Sequence, residues 1–495
     1  MQIQASKTMS KNINQELPAI STLERKRYPV KVLQFGSGNF LRAFIDWMVQ
    51  EANDKIDFNA GVSIIQSVSR DKKLEEQQGL YTVLVKGLHK GKYLQQHYRI
   101  DCVQRIVQPQ DNFSAFLQEA INTDLQFIVS NTTESGIVFS DKDKDGDTLA
   151  TTFPGKLTQL LYHRFKSKLT GRIVVLPCEL IEKNGEVLKR CVETYARHWD
   201  LPAAFSEWIN TEITFCNTLV DRIVPGAPKT EHEAIWKELH YKDELMVTAE
   251  WFHLLVIEAP DWLKEVLPWD KAGINVIFTK NLELYRNRKV KILNGAHSAM
   301  ACVGFLAGIP TVREAMEHKE VSEYIRKMVY KEIIPVLEGD KTELEGYAEE
   351  VFARFMNPAI EHALLSITLN SFGKFKVRLL PTLLAHTSGR GYVPARLAYA
   401  FAALFFFYRG LKSGKEIRLN DDPATIEAVK DAWKKASYNP EGIKALCTTL
   451  LARADWWGSD LSTVPNLVEQ AGKHLYTIDQ HGIVESLREL NRQEV

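Results

Sequence analysis

The sequence predicts an α/β chain in two parts, a parallel-sheet domain followed by a mainly α-helical domain. Three observations carry this. At 495 residues the chain is too long for one ordinary core. Up to about residue 280, β-rich runs alternate with helical stretches, as at Phe127–Ser130, Gly171–Leu176 and Ile274–Phe278. Past about residue 285, apolar residues recur at helical spacing nearly throughout, over Ser322–Leu337, Glu343–Phe355, Pro394–Arg409 and Ile426–Ala436. The expected boundaries are 28–280 for the first domain and 281–495 for the second. Residues 1–27 are polar and lack the apolar core of a signal peptide, so they read as a disordered leader.

The first domain opens on Val32, Leu33 and Phe35, a buried strand, followed by the turn Gly36-Ser37-Gly38 and a helix start at Asn39, Phe40 and Arg42. Gly36 permits the tight turn, and Gly38 lets a pyrophosphate approach the backbone at the helix N-terminus. A second apolar run, Gly61–Val68, follows at the spacing of a βαβ unit. The domain therefore reads as Rossmann-like and dinucleotide-binding, with Phe35 to Phe40 and Arg42 as cofactor contacts. Leu41 stands where the usual fingerprint has its third glycine. After the second run come Arg70 and Asp71. Asp71 suits the ribose hydroxyls of NAD, whereas Arg70 suits the 2′-phosphate of NADP. NAD is the expected cofactor, and NADP stays open.

The second domain begins with Lys289-Val-Lys-Ile-Leu-Asn294-Gly-Ala-His297. At about 100° per residue, Asn294 and His297 share a helix face and Lys289 lies one turn earlier. Such a set suits carbonyl chemistry: the lysine moves a proton, the amide holds the oxygen and the imidazole fixes the substrate. The alternative is a helix start with solvated charges and an Asn-Gly turn.

Composition excludes other classes. The 62 basic and 62 acidic side chains balance and are interspersed, which speaks against nucleic acid or a membrane surface as partner. Six scattered cysteines without a C-x-x-C pair fit reduced thiols in a cytoplasm, not a structural zinc site. The apolar run Leu397–Tyr408 is too short to span a bilayer. No metal site is expected, since neither His362 nor His232 has a second ligand at i, i+4.

Four stretches resemble the polyol-specific long-chain dehydrogenases, the mannitol dehydrogenase family. They are Gly36–Ala43, Phe215–Pro225 with its Val220-Asp221-Arg222, the set Lys289, Asn294 and His297, and Arg354–Pro358 running into Lys374–Pro381. The resemblance covers the chain from about residue 28 to the end. It implies NAD-dependent hydride transfer without a metal, in a monomer, with Lys289 as acid/base, Asn294 stabilising the alkoxide and His297 holding a substrate hydroxyl. It also places Asp221 and Arg222 beside the nicotinamide and substrate, the alternative being a buried ion pair at a strand end. Glu134 would lie by the nicotinamide ribose, or else is an exposed loop acid. One departure stands out. Leu180 follows Cys178-Glu179 where the family pattern has a second oxyanion-holding asparagine. Asn184, four residues on, is the candidate replacement, and the change argues against mannitol as substrate. Lys374 and Arg378 are four apart on a predicted helix and share a face, which would suit the carboxylate of a sugar acid. The alternative is a solvated basic face. An epimerase that retains its NAD and a binding-only regulator are the competing classes. The presence of all three of Lys289, Asn294 and His297 counts against the regulator.

Overall fold

A computed structural model describes residues 17–492 apart from 67–69, 90–91, 133–135, 145, 147, 229–230, 360 and 413. The chain forms two compact units. One takes the described residues up to Lys86 together with Gln95–Lys280, and the other takes Gly87–Leu94 together with the chain from Asn281 onward.

Among the described residues twelve strands precede residue 280: β1 (Val30–Phe35), β2 (Gly61–Ile65), β3 (Tyr81–His89), β4 (Lys92–Ile100), β5 (Val103–Val107), β6 (Phe127–Ser130), β7 (Ile173–Pro177), β8 (Ile213–Phe215), β9 (Asn217–Asp221), β10 (Val247–Glu250), β11 (Leu254–Glu258) and β12 (Val276–Thr279). Six of them make one parallel sheet in the order β5-β2-β1-β6-β7-β8. Its central strands are buried nearly throughout because helices cover both faces. Alternation along β1 shows this directly. Val32 packs with Phe44, Ile64 and Val129 on one side. Leu33 and Phe35 pack with Ile65, Ile128 and Leu157 on the other. Two small sheets, β10-β3-β4 and β12-β11-β9, lie beyond the simple alternation that the sequence predicts.

The polar start of the chain is no free leader once it reaches Pro18. The Ile20 amide donates to the Lys242 carbonyl at 2.9 Å, and the Lys242 amide donates to that of Pro18 at 2.8 Å. Ile20 is fully buried against Leu80 and Tyr241. One apolar side chain with two backbone bonds docks the segment, a signal that composition averaged over a polar stretch conceals.

The second unit is helical, and one apolar core runs through it. Helix Ala395–Tyr408 holds the longest apolar run and is buried almost all round, packed against the long helix Leu467–Arg492. Glu332 caps its start: the amides of Arg396 and Leu397 each donate to that carboxylate at 2.9 Å. The helix predicted over Ser322–Leu337 is wound less evenly than its period implies. It runs Lys319–Lys327, widens to a π-helical turn over Met328–Ile333 and tightens at Ile334–Val336, where Pro335 ends it. Among the described residues no helix is long and apolar enough to cross a membrane.

Candidate active site

The glycine turn ends β1 where the strand order reverses, with β2 on one side and β6 on the other. Parallel α/β sheets bind nucleotides at such points. Gly36 has φ +118, and a Cβ there would lie 3.4 Å from both the Asn131 carbonyl and Leu41. Only glycine holds this turn without strain. Its amide donates to the Ile65 carbonyl at 3.1 Å, which ties the turn to β2. Gly38 is exposed, and a Cβ on it would meet nothing within 4 Å. It caps the helix beginning at Asn39 and brings no side-chain bond to the first-turn amides. An open glycine cradle over uncapped amides fits a pyrophosphate.

The predicted cofactor residues divide around this turn. Ser37, Gly38, Asn39 and Phe40 are all at least partly exposed. The Phe35 ring is not: it is buried, with Phe116 and Phe153 at 6.2 and 4.9 Å, so only its backbone borders the turn. Arg42 points inward, contrary to expectation. Its guanidinium donates to the Leu245 carbonyl at 2.8 Å and to Asn39 Oδ1 at 2.6 Å, and lies over the Tyr81 ring. It braces the turn from behind. Deeper still, Gln34 Nε2 donates to the Gly36 carbonyl at 3.1 Å and to Asp46 Oδ2 at 3.4 Å, and the Tyr81 hydroxyl donates to the same carboxylate oxygen at 2.6 Å. Burial pushes the Asp46 carboxyl up to about 7. Asp221 ends β9 and is buried. Its neighbour Arg222 donates to the Glu250 and Ala43 carbonyls at 3.1 and 2.7 Å and lies over Trp47, 4.2 Å from the ring centre. Burial pushes that guanidinium down to about 10. Glu134 lies outside the described residues.

In the helical unit, Lys289–Asn294 is a π-helical turn between helices Leu282–Arg288 and Gly295–Leu306. The Gly295 amide reaches back to the Val290 carbonyl, an i→i+5 bond. This changes the geometry of the predicted set. Five residues of regular α-helix would turn Lys289 about 140° away from Asn294. A widened turn sets residues five apart one above the other, so Lys289 and Asn294 share a face. Single π turns often mark functional positions for this reason.

Around that face the fold gathers further groups. The buried His297 ring lies 4.2 Å from the Phe355 ring and 5.2 Å from that of His362. Helix Ser371–Arg378 brings in both predicted cations. Lys374 Nζ donates to the Ile367 carbonyl at 2.9 Å. Burial and the charge of Lys374 push the His362 imidazole below its usual value. Arg378 donates to Ser298 Oγ at 3.0 Å, and Ser298 donates to the Asn294 carbonyl at 2.9 Å. Arg378 is thus linked through Ser298 to the turn that holds Asn294, and Lys374 acts by its charge on His362, which lies beside His297. Ser298 and His362 were given no substrate role by the sequence, because their membership depends on a helix far along the chain. Lys291 is two residues from Lys289 and donates to the Val377 carbonyl at 2.9 Å. Burial, with Arg286 nearby, pushes its amine down to about 8.

Residues 30–271 match the mannitol dehydrogenase Rossmann domain, and residues 281–479 match the mannitol dehydrogenase C-terminal domain. The chain belongs to the mannitol dehydrogenase family. An altronate oxidoreductase from Escherichia coli O6:K15:H31 (strain 536 / UPEC) is 42% identical over 483 residues, which covers 95% of this chain and 100% of that protein. Another, from Bacillus subtilis (strain 168), is 42% identical over 468 residues, covering 94% and 95%. Mannitol 2-dehydrogenase from Pseudomonas fluorescens, solved as a ternary complex with NAD and D-mannitol, has a similar fold. Its TM-score is 0.71 at 21% identity, covering 94% of this chain and 95% of that one. D-sorbitol dehydrogenase in substrate-free form gives a TM-score of 0.75 at 20% identity, covering 93% and 95%.

Within this mannitol dehydrogenase framework one expected substrate contact is corrected. Asn184 is 1% exposed. Its Nδ2 lies 2.9 Å from the Pro177 carbonyl and 3.1 Å from that of Glu179, and its Oδ1 accepts from the amides of Gly185 and Thr218, both at 2.9 Å. Both ends of the amide are taken by backbone, so Asn184 joins the end of β7 to β9 and offers nothing to a substrate. Leu180, by contrast, is exposed. Glu179 is a neighbouring group that sequence reading left without a role. Its buried carboxylate accepts from Ser130 Oγ at 3.1 Å and from both the amide and hydroxyl of Thr132 at 2.9 Å. It ties the loops after β6 and β7 together, and burial raises its pKa despite these bonds. Among the described residues no three His, Cys, Asp or Glu side chains are grouped to hold a metal ion.

Proposed function

We propose that this protein is an NAD-dependent oxidoreductase that reversibly reduces D-tagaturonate to D-altronate in hexuronate catabolism. The observation that carries the reading is the placing of two cations near the Lys289, Asn294 and His297 set in one helical unit: Arg378 is linked through Ser298 to the Asn294 carbonyl, and Lys374 acts by its charge on His362, whose ring lies 5.2 Å from that of His297. A polyol has no charge for such a pair to meet, whereas a keto acid has a carboxylate. The likeness to altronate oxidoreductases over nearly the whole chain supports the same substrate class.

NAD, when bound, supplies or accepts the hydride. Lys289 gives a proton to the carbonyl oxygen in reduction and takes it from the hydroxyl in oxidation. Asn294 donates to the oxygen as its negative charge develops. His297 holds a substrate hydroxyl and with it the pose. Lys374 and Arg378 fix the carboxylate end. The protein acts as a monomer on this small sugar acid, in the cytoplasm, with neither nucleic acid nor a membrane as partner. All six cysteines are free thiols, which suits a reducing compartment.

The test is NADH absorbance with purified protein and a panel of ketoses and keto acids. Tagaturonate should be the best substrate, ahead of its epimer fructuronate and well ahead of fructose. Absence of NADH oxidation with every hexuronate-derived keto acid would overturn the reading.

A further inference from the structure

We infer that Glu75 and Asp111 set the preference for NAD over NADP by holding Arg70 away from any 2′-phosphate. The inference rests on the reading of the first unit as a nicotinamide dinucleotide site, and adds the residues that choose between the two cofactors.

Strands β2 and β5 are parallel neighbours, with Ile65 beside Val107. The chain leaves β2 toward Arg70 and Asp71, and leaves β5 toward Gln108 and Asp111. The adenosine ribose of a dinucleotide seated on the turn after β1 meets the end of the second strand of the βαβ unit. Arg70 and Asp71 therefore stand for opposite cofactors, and sequence does not choose between them.

The structure does. The Arg70 guanidinium grips the Glu75 carboxylate with two groups, Nε at 3.0 Å from Oε1 and Nη2 at 2.6 Å from Oε2. Its third nitrogen, Nη1, lies 3.1 Å from Asp111 Oδ2. Glu75 is itself fixed, since Gln108 Nε2 donates to its Oε1 at 2.7 Å. Gln108 also donates to Gln66 Oε1, which accepts from the Asp71 amide at 2.8 Å. Asp71 Oδ1 in turn accepts from the Leu74 amide at 3.3 Å, which orients this carboxylate at a helix start. Lys73 is paired with Glu244 at 2.7 Å. Lys72 acts on Glu75 through its charge and lies in the same short helix, Lys72–Glu76.

A 2′-phosphate approaching Arg70 would have to displace a two-pronged carboxylate grip and sit among Asp71, Glu75 and Asp111. An unphosphorylated ribose brings hydroxyl donors, which carboxylates accept. The ion pairs at Arg70 are half exposed, and exposed pairs contribute little to folding. Removing them leaves the fold in place and changes what Arg70 can bind.

The experiment is the double variant Glu75→Gln/Asp111→Asn, which keeps shape and removes charge. Binding of NADH and NADPH is followed directly by nicotinamide fluorescence, with kcat/KM measured beside it. NADPH should gain about tenfold or more relative to NADH, the scale of one charge-assisted pair. Adding Arg70→Ala should cancel the gain, and adding Lys72→Ala should not. In the wild-type background Arg70→Ala should leave NADPH affinity no weaker. An unchanged NADPH-to-NADH ratio in the double variant, or a gain that survives Arg70→Ala, overturns the inference. The titration needs no sugar acid. If wild type prefers NADH and the variants behave as stated while tagaturonate is not turned over, the proposed reaction fails and this inference stands. If wild type binds neither dinucleotide, the inference falls.

Discussion

Asn184→Ala tests whether that asparagine is a structural tie or a substrate contact. The change strips the partners from two buried amides, those of Gly185 and Thr218, and from the Glu179 carbonyl. The Pro177 carbonyl keeps a bond from the Thr218 hydroxyl, and the Thr218 carbonyl, at 3.2 Å, lies farther from the two-hydrogen Asn184 amide than those of Pro177 and Glu179, so neither is counted. Three buried polar groups are left without partners, at about 1 kcal/mol or more each, a loss near 3 kcal/mol. For a unit of this size that lowers the unfolding midpoint by roughly 6–12 °C. The assay is calorimetry of wild type and variant, with KM for the keto acid measured well below the variant's midpoint. The expected result is a large thermal shift and a KM close to that of wild type. A midpoint within about 2 °C of wild type with KM raised about tenfold would refute the structural account and return Asn184 to the substrate site.

Four further outcomes are expected. Lys289→Ala should lower kcat by about a hundredfold or more while NADH affinity measured by fluorescence barely changes. Lys374→Ala should raise KM for the keto acid and leave the reduction of an uncharged ketose nearly as it was; equal losses on both would make the cation structural. Burial holds the Asp46 carboxyl at about 7, well above its unfolded value, so its stabilising contribution is complete below about pH 4 and lost as pH rises through 7. Asp46→Asn cannot ionise, so its unfolding midpoint should fall less between those pH values than that of wild type, and equal slopes would contradict the assignment. Deleting Lys291 should close the π turn to an α turn, put Lys289 four residues from Asn294 on one face and retain measurable turnover, whereas inserting one alanine after Lys291 should abolish it.

The sheet and the helical half were legible because their signals are local. Phe127–Ser130 is predicted as a strand and forms one with the same bounds, since both of its faces are covered and every residue is apolar or small. Helix Lys341–Phe355 follows its period, and its cap, Asp340, accepts from the Glu343 amide at 3.0 Å. What stayed hidden depends on partners distant in sequence. Arg42 reads as a cofactor contact three residues into a helix, yet its guanidinium is claimed by a carbonyl at Leu245. Asn184 reads as a displaced oxyanion donor, yet strand β9 takes its oxygen. Ile20 reads as an incidental apolar residue in a polar leader, yet Lys242 offers it a backbone edge.

The proposed catalytic set shows a different limit. Its residues were legible one by one, but their phase was not. A period of 3.6 residues separates Lys289 from Asn294 by more than a third of a turn, and nothing in Val-Lys-Ile-Leu announces an extra residue in that turn. The widening is settled by packing: Ile292 and Leu293 are both buried in the helical core while Lys291 reaches out to the Val377 carbonyl. A regular helix would have to move one of these three from its place. The i→i+5 turn keeps all three and, by doing so, brings Lys289 over Asn294. The positions that fix the geometry of the proposed acid/base are therefore core residues with no polar atom to offer a substrate. A change at Ile292 or Leu293 would be felt in kcat through the phase of the turn before it was felt in KM.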